Sequence, residues 1–263
     1  MRKINNALLQ RMISGDLSPL LNYIKRDDEL RLEVRREGEA FIYYRKGKAL
    51  EIGKLKVDLK YGQVPDTSLA VDNPPQYFEE IKDAIDNWLD NKKDRAEFDT
   101  QQKIARDNQG KDDRYIILDM EYAFEQHKIK KENREKRAVF DLLGIERKTN
   151  KIIFFEVKKG MGATKGKSGI EEHINDFSKY IHGKNTKVFR NNLIRDIKNI
   201  LDDKRRLGII QNFSIPNNLG EFDPELIFVF HPADKSEVLY FSKELEKRHK
   251  LIIVGNDNYK LRY

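Results

Sequence analysis

The sequence predicts an α/β protein: a mixed sheet of four or more strands flanked by helices, preceded by an N-terminal module of helices and a β-hairpin. Three observations carry the prediction. The apolar, strand-like runs "RYIILDMEYAF" (114–124), "AVFDLLGIE" (138–146) and "KIIFFEV" (151–157) arrive in succession, and a fourth, "ELIFVFH" (225–231), follows much later. Two helical stretches, 168–181 and roughly 187–205, fill the interval before that fourth run. A Pro-Pro break at 74–75 separates this pattern from a different one in front of it.

The elements follow in order. "NNALLQRMI" and "SPLLNYIKR" have helical patterning. "EAFIYYR", a "KGK" turn, "ALEI" and "KLKVDLKY" alternate as strands do. Asn73-Pro74-Pro75 ends that module and opens a helix, because Pro is tolerated in the first turn. Phe78, Ile81, Ile85 and Trp88 then recur at helical spacing. A polar helix continues through "EFDTQQKIARDNQG", with Gly110 to end it. The predicted division is an α+β module over 1–75 and a second domain over 76–263. In the second domain, "SGIEEHINDFSKYI" is opened by Ser168 with Glu171 in the capping-box position. A helix near 235–247 and a last strand, "LIIV", close the chain.

Composition narrows the class. The chain has 263 residues, 36% charged and 38% hydrophobic, enough to bury a core under a densely charged surface. The absence of cysteine excludes disulfides, thiol catalysis and cysteine-ligated zinc, and suits a reducing cytoplasm. The N-terminal residues lack the apolar run of a signal peptide, and no stretch approaches the ~18 apolar residues of a membrane span. The expectation is a soluble cytoplasmic protein without a membrane partner. The net charge of +7 permits a nucleic-acid partner. Its clustering matters more: residues 125–137 hold six basic against three acidic side chains, 158–167 four lysines and no acid, and 184–206 eight basic against three acidic. The oligomeric state, a homodimer included, stays open.

Strand periodicity locates the chemistry. Ile152, Phe154, Glu156 and Lys158 share one face of their strand, and Val139, Asp141, Leu143 and Ile145 share a face of theirs. Each acid sits at one end of an apolar stripe. The short link "ERKTNK" predicts a hairpin pairing Glu146 with Lys151 and hence Asp141 with Glu156, their Cβ atoms about 5 Å apart. Two carboxylates so close repel unless a cation lies between them. Mg²⁺, hard and oxygen-seeking, is the natural cation, with Mn²⁺ as its substitute. Lys158 on the same face can orient or help deprotonate a water, or steady a phosphate. The structural alternative is a salt-bridged strand pair, which leaves Asp141 on the buried face unexplained.

These residues resemble the PD-(D/E)XK nuclease superfamily, the restriction-endonuclease-like fold. Its Asp corresponds to Asp141 in "VFDLLG", and its Glu-x-Lys to Glu156-Val157-Lys158 in "FFEVKKG". The resemblance covers roughly 92–232 and matches the family's order of helix, three strands, helix and strand. It implies that Asp141, Glu156 and the Val157 carbonyl hold the metal, and that Lys158 is the catalytic lysine. The first-helix acid of many members would be Glu97, with Gln101 and Asn108 on its face. The sequence departs from the common pattern in having no Pro before Asp141. Where exonuclease branches carry Gln-x-x-x-Tyr it has His173 and Phe177, which argues against those branches while leaving His173 able to face the site. Asp119 and Glu121 share a face of the preceding strand and can extend the metal site or meet solvent.

The loop after Lys158 ends in Gly166-Lys167-Ser168, as a phosphate-cradling P-loop does, but the first glycine should then be residue 161, which is methionine. The loop reads better as a cationic flap whose Lys159, Lys165 and Lys167 meet backbone phosphates. The expected function is Mg²⁺-dependent hydrolysis of phosphodiester bonds, in DNA first and RNA second. The alternatives are a catalytically inactive nucleic-acid-binding protein on the same fold and a P-loop-like NTPase.

Overall fold

The computed structural model describes residues 1–45, 47–90, 96–124, 138–166, 169–183, 186–211, 213–255 and 258–262, with backbone alone at 96–98. The basic run 125–137, Lys167, Ser168 and the Glu97 side chain therefore lie outside the described residues. The chain divides into two compact units, Met1–Gln102 with Lys198–Ser214, and Lys103–Ile197 with Ile215–Tyr263.

The first unit opens with α1 (Asn6–Ser14), whose Asn5 cap accepts the Ala7 N–H, and α2 (Ser18–Ile24), which has Pro19 in its first turn. A three-stranded antiparallel sheet follows, in the order β1 (Leu30–Val34), β2 (Ala40–Tyr44), β3 (Gly47–Glu51). After α3 (Leu69–Asp72), α4 (Pro74–Asp90) buries Tyr77, Phe78, Ile81, Ala84, Ile85 and Leu89 along one stripe. The Tyr77 hydroxyl donates to the Ala49 carbonyl at 2.7 Å. Trp88 stays at the rim, edge-on to Tyr61.

Two expectations fail in this unit. "KLKVDLKY" is not a strand: Leu55 adopts φ 46°, Lys56 makes one bridge back to Glu51, and Asp58 caps a short 3₁₀ turn over Leu59–Tyr61. Val57 and Tyr61 are buried but Leu59 is left 77% exposed, so the alternation with lysine is broken at Leu59. The strand that pairs with the hairpin is "LRLEV", buried at all five positions despite Arg31 and Glu33.

The second unit is built on a five-stranded sheet. Its order is β4 (Tyr115–Ala123), β5 (Val139–Glu146), β6 (Ile152–Lys159), β7 (Glu225–His231), β8 (Leu251–Ile253). β4, β5 and β6 run antiparallel, and β6, β7 and β8 parallel. A parallel neighbour needs a crossover. Between β6 and β7 the chain forms α6 (Ile170–Ile181) and α7 (Thr186–Arg206); between β7 and β8 it forms α8 (Lys235–Tyr240), which runs on into a wider helical turn at Phe241–Leu245. α6 begins after Gly169 with no side-chain cap. α5 (Ala96–Asp107) ends at Asn108, whose amide donates to the Tyr259 carbonyl and accepts from Leu261 N–H, both at 2.9 Å. Asn108 thus holds the C-terminal segment. Phe154 and Phe140 pack rings at 4.8 Å, and Phe124 stacks on Tyr180 at 4.5 Å, beside Phe177. A second cluster joins Ile170, Phe228, Phe230, Phe241, Leu245 and Leu251.

One ion network secures the first unit. Glu33 is 0% exposed, and both of its oxygens are engaged: Oε1 by Arg31 Nε at 2.6 Å and Oε2 by Lys204 Nζ at 2.7 Å. Burial pushes the Glu33 carboxyl up, but Lys204, then Arg31 and Arg35, outweigh it and bring its pKa down from 4.5 to about 2. The contribution is therefore complete above pH ~4.5 and lost as the pH falls toward 2. Glu33→Gln should destabilise the protein by about 3–5 kcal/mol at pH 7, since it breaks the buried Glu33–Lys204 and Glu33–Arg31 ion pairs. Urea denaturation of both proteins should show the difference shrinking as the pH falls through that window. A pH-independent difference would contradict the assignment.

Candidate active site

The β5–β6 hairpin has the predicted register. Ile145 pairs with Ile152, Leu143 with Phe154 and Leu142 with Phe155, and Glu146 N–H donates to the Lys151 carbonyl. The ladder stops one residue short of the acids. Beyond Leu142–Phe155 the Asp141 carboxylate takes the Val157 N–H itself, Oδ2 to N 2.8 Å. Asp141 thus caps the opening of the two strands and ties its side chain to the backbone between Glu156 and Lys158.

Glu156 and Lys158 point to the face of β6 that carries Ile152 and Phe154. The parallel register sets Phe228 beside Glu156 and Phe230 beside Lys158. These apolar neighbours leave Glu156 2% and Lys158 3% exposed. Isolated charges at such depth cost several kcal/mol each, and here they are shared. Lys158 Nζ lies 2.9 Å from Glu156 Oε1, and His173 Nε2 lies 2.9 Å from the same oxygen and 3.2 Å from Nζ. His173 reaches this point because it shares the α6 face of Ile170 and Phe177, three and four residues away. Burial pushes the Glu156 carboxyl up; hydrogen bonding to His173 and the Lys158 charge more than offset it, so its pKa falls below the usual carboxylate value. Glu156 Oε2 is buried and has no hydrogen-bond partner among the described residues.

The other predicted residues are placed as follows. Asp119 is buried on β4, across from Leu143 and next to a bulge at Ile117/Asp119. Glu121 falls between the pairs Met120–Leu142 and Tyr122–Phe140, so it stands across from Asp141, half-buried, with φ 54°. Val157 is fully buried. Lys159 and Lys165 are exposed beside a short 3₁₀ turn over Met161–Thr164. Gly160 enters that turn at φ 71°, a region open to glycine at little cost, and donates its N–H to the His231 carbonyl. In the 184–206 run, Lys204 is buried against Glu33 and Arg190 pairs with Asp223, so neither is a loose surface cation.

Glu237 was not foreseen. Its carboxylate accepts Met161 N–H at 2.9 Å and Ala233 N–H at 2.6 Å, joining the loops that leave β6 and β7. The signal is Asp234-x-x-Glu237, a capping-box pattern at the start of α8.

Among the described residues no group of three or more His, Asp or Glu is arranged to hold a metal ion, and no helix is long and apolar enough to cross a membrane. Mg²⁺, however, commonly takes only one or two carboxylates, with water and phosphate completing its shell. The unpartnered Glu156 oxygen is a donor of the right chemistry for it. Comparison with protein-family models, curated proteins and solved structures finds no match.

The left-handed backbone of Glu121 costs about 1–2 kcal/mol for a residue with a Cβ. Glu121→Gly should therefore be more stable than Glu121→Ala by about 1 kcal/mol, both variants having lost the same carboxylate. Thermal unfolding of the pair measures this, and equal midpoints would mean that the strained backbone relaxes once the side chain is gone.

Proposed function

We propose that the protein is a Mg²⁺-dependent nuclease with a restriction-endonuclease-like core that hydrolyses phosphodiester bonds, in DNA first and RNA second. The observation that carries this reading is the Glu156–Lys158–His173 cluster, buried on the central strand with one carboxylate oxygen left unpartnered, next to Asp141 at the hairpin's opening. A purely structural ion pair would be expected to satisfy both oxygens, as Glu33 does.

Asp141, Glu156 and the Val157 carbonyl would hold the ion, which when bound neutralises phosphate charge and makes a bound water more acidic. Lys158 lies on the same face, where it orients the attacking water and steadies negative charge on the phosphate. A bond forms between the water oxygen and phosphorus as the water releases a proton to solvent, the bond to the leaving sugar oxygen breaks, and that oxygen takes a proton from solvent. Lys159 and Lys165, exposed at the end of β6, meet backbone phosphates without reading sequence.

A second reading, a nucleic-acid-binding protein without catalysis, is favoured by the absence of a three-ligand metal group among the described residues. The Asp141 carboxylate, already engaged by the Val157 N–H, points the same way. P-loop nucleotide hydrolysis is disfavoured, because the Met161 amide that would face a phosphate is taken by Glu237.

Incubation of single-stranded, duplex and branched DNA, and of RNA, with Mg²⁺ or Mn²⁺ tests the proposal. Cutting should require metal and fall by at least ~10²-fold in Lys158→Ala and in Asp141→Ala. Nucleic-acid binding that survives both substitutions, with no cutting under any condition, would favour the second reading.

A further inference from the structure

Lys158 and His173 both contact Oε1 of Glu156, and Oε2 has no hydrogen-bond partner among the described residues. Two partners crowd one oxygen while the other, equally buried, has none among the described residues. We propose that His173 is a positioning residue that fixes the Glu156 carboxylate with Oε1 turned to α6 and Oε2 turned to a divalent cation. The proposal rests on the metal reading above and adds to it what aims the carboxylate.

The argument is geometric. A carboxylate at the end of a glutamate side chain is free to turn about its last bond, so two oxygens are interchangeable until something distinguishes them. Lys158 alone distinguishes them poorly, being a flexible four-carbon stem on the same strand with three donors to spend. His173 is a ring on a different element, α6, held by the packing of its face neighbours Ile170 and Phe177. With its ring proton on Nε2 it donates to Oε1 at 2.9 Å and occupies one lone pair in a fixed direction. Turning the carboxylate out of this plane would break that bond and the Lys158 bond together. An outer-shell partner of this kind commonly sets metal affinity by 10–100-fold without touching the ion.

The test measures Mn²⁺ binding by calorimetry, without nucleic acid, for wild type, His173→Ala, His173→Asn and His173→Gln, with Glu156→Gln as the ligand control. The Gln amide reaches as far as the ring nitrogen and can donate to Oε1; the Asn amide falls short. Mn²⁺ affinity should drop ~10–100-fold in the Ala and Asn variants, remain near wild type in the Gln variant, and vanish in Glu156→Gln. Metal-free unfolding midpoints identify the variants that fold, and the affinity order is read among those, so loss of one variant leaves the comparison standing. Unchanged affinity in Ala and Asn, or an equal loss in Gln, overturns the positioning role while leaving the metal reading intact. Wild-type protein that takes up no Mn²⁺ overturns both.

Discussion

Glu156 lies buried on the central strand of the five-stranded sheet, beside Phe228 of β7, and its charge has to be carried there. Everything distinctive around it follows from that requirement. Lys158 comes from the same face of the same strand, two residues on. His173 comes from the helix that crosses that face. Asp141 turns from its side chain's own face to hold the β6 backbone at Val157.

Glu33, another buried glutamate, makes the contrast. Glu33 has a separate cation for each oxygen and is saturated. Glu156 has two partners on one oxygen and none described on the other. Both carboxyls titrate below their usual value, so titration alone does not separate them. Geometry does: a saturated carboxylate has nothing left to offer a ligand, and a half-used one does.

Legibility in the sequence tracked the range of the interactions. The β5–β6 register could be read because a six-residue link and a two-residue period are local, and both hold over Leu142–Phe155 to Ile145–Ile152. β1 was missed because the partner that lets Glu33 face inward, Lys204, is 171 residues away along the chain. "KLKVDLKY" misled because inward-facing Val57 and Tyr61 look like strand alternation on paper, whereas they are placed by a left-handed Leu55 and a 3₁₀ turn over Leu59–Tyr61. His173 was a candidate, but its shared contact with Glu156 and Lys158 depends on how α6 crosses the sheet. The Asp141 carboxylate bonding a backbone amide instead of standing free across from Glu156 has no sequence signature at all.

The direction of the strands has a last consequence. β4 ends, β5 begins, and β6 and β7 end at one edge of the sheet, the edge nearest Glu156 and Lys158. The connections that leave there can lengthen or shorten without shifting any strand against its neighbour. The surroundings of the cluster are thus separable from its geometry: a loop of another length alters what lies around the three side chains without altering the hairpin register that holds them.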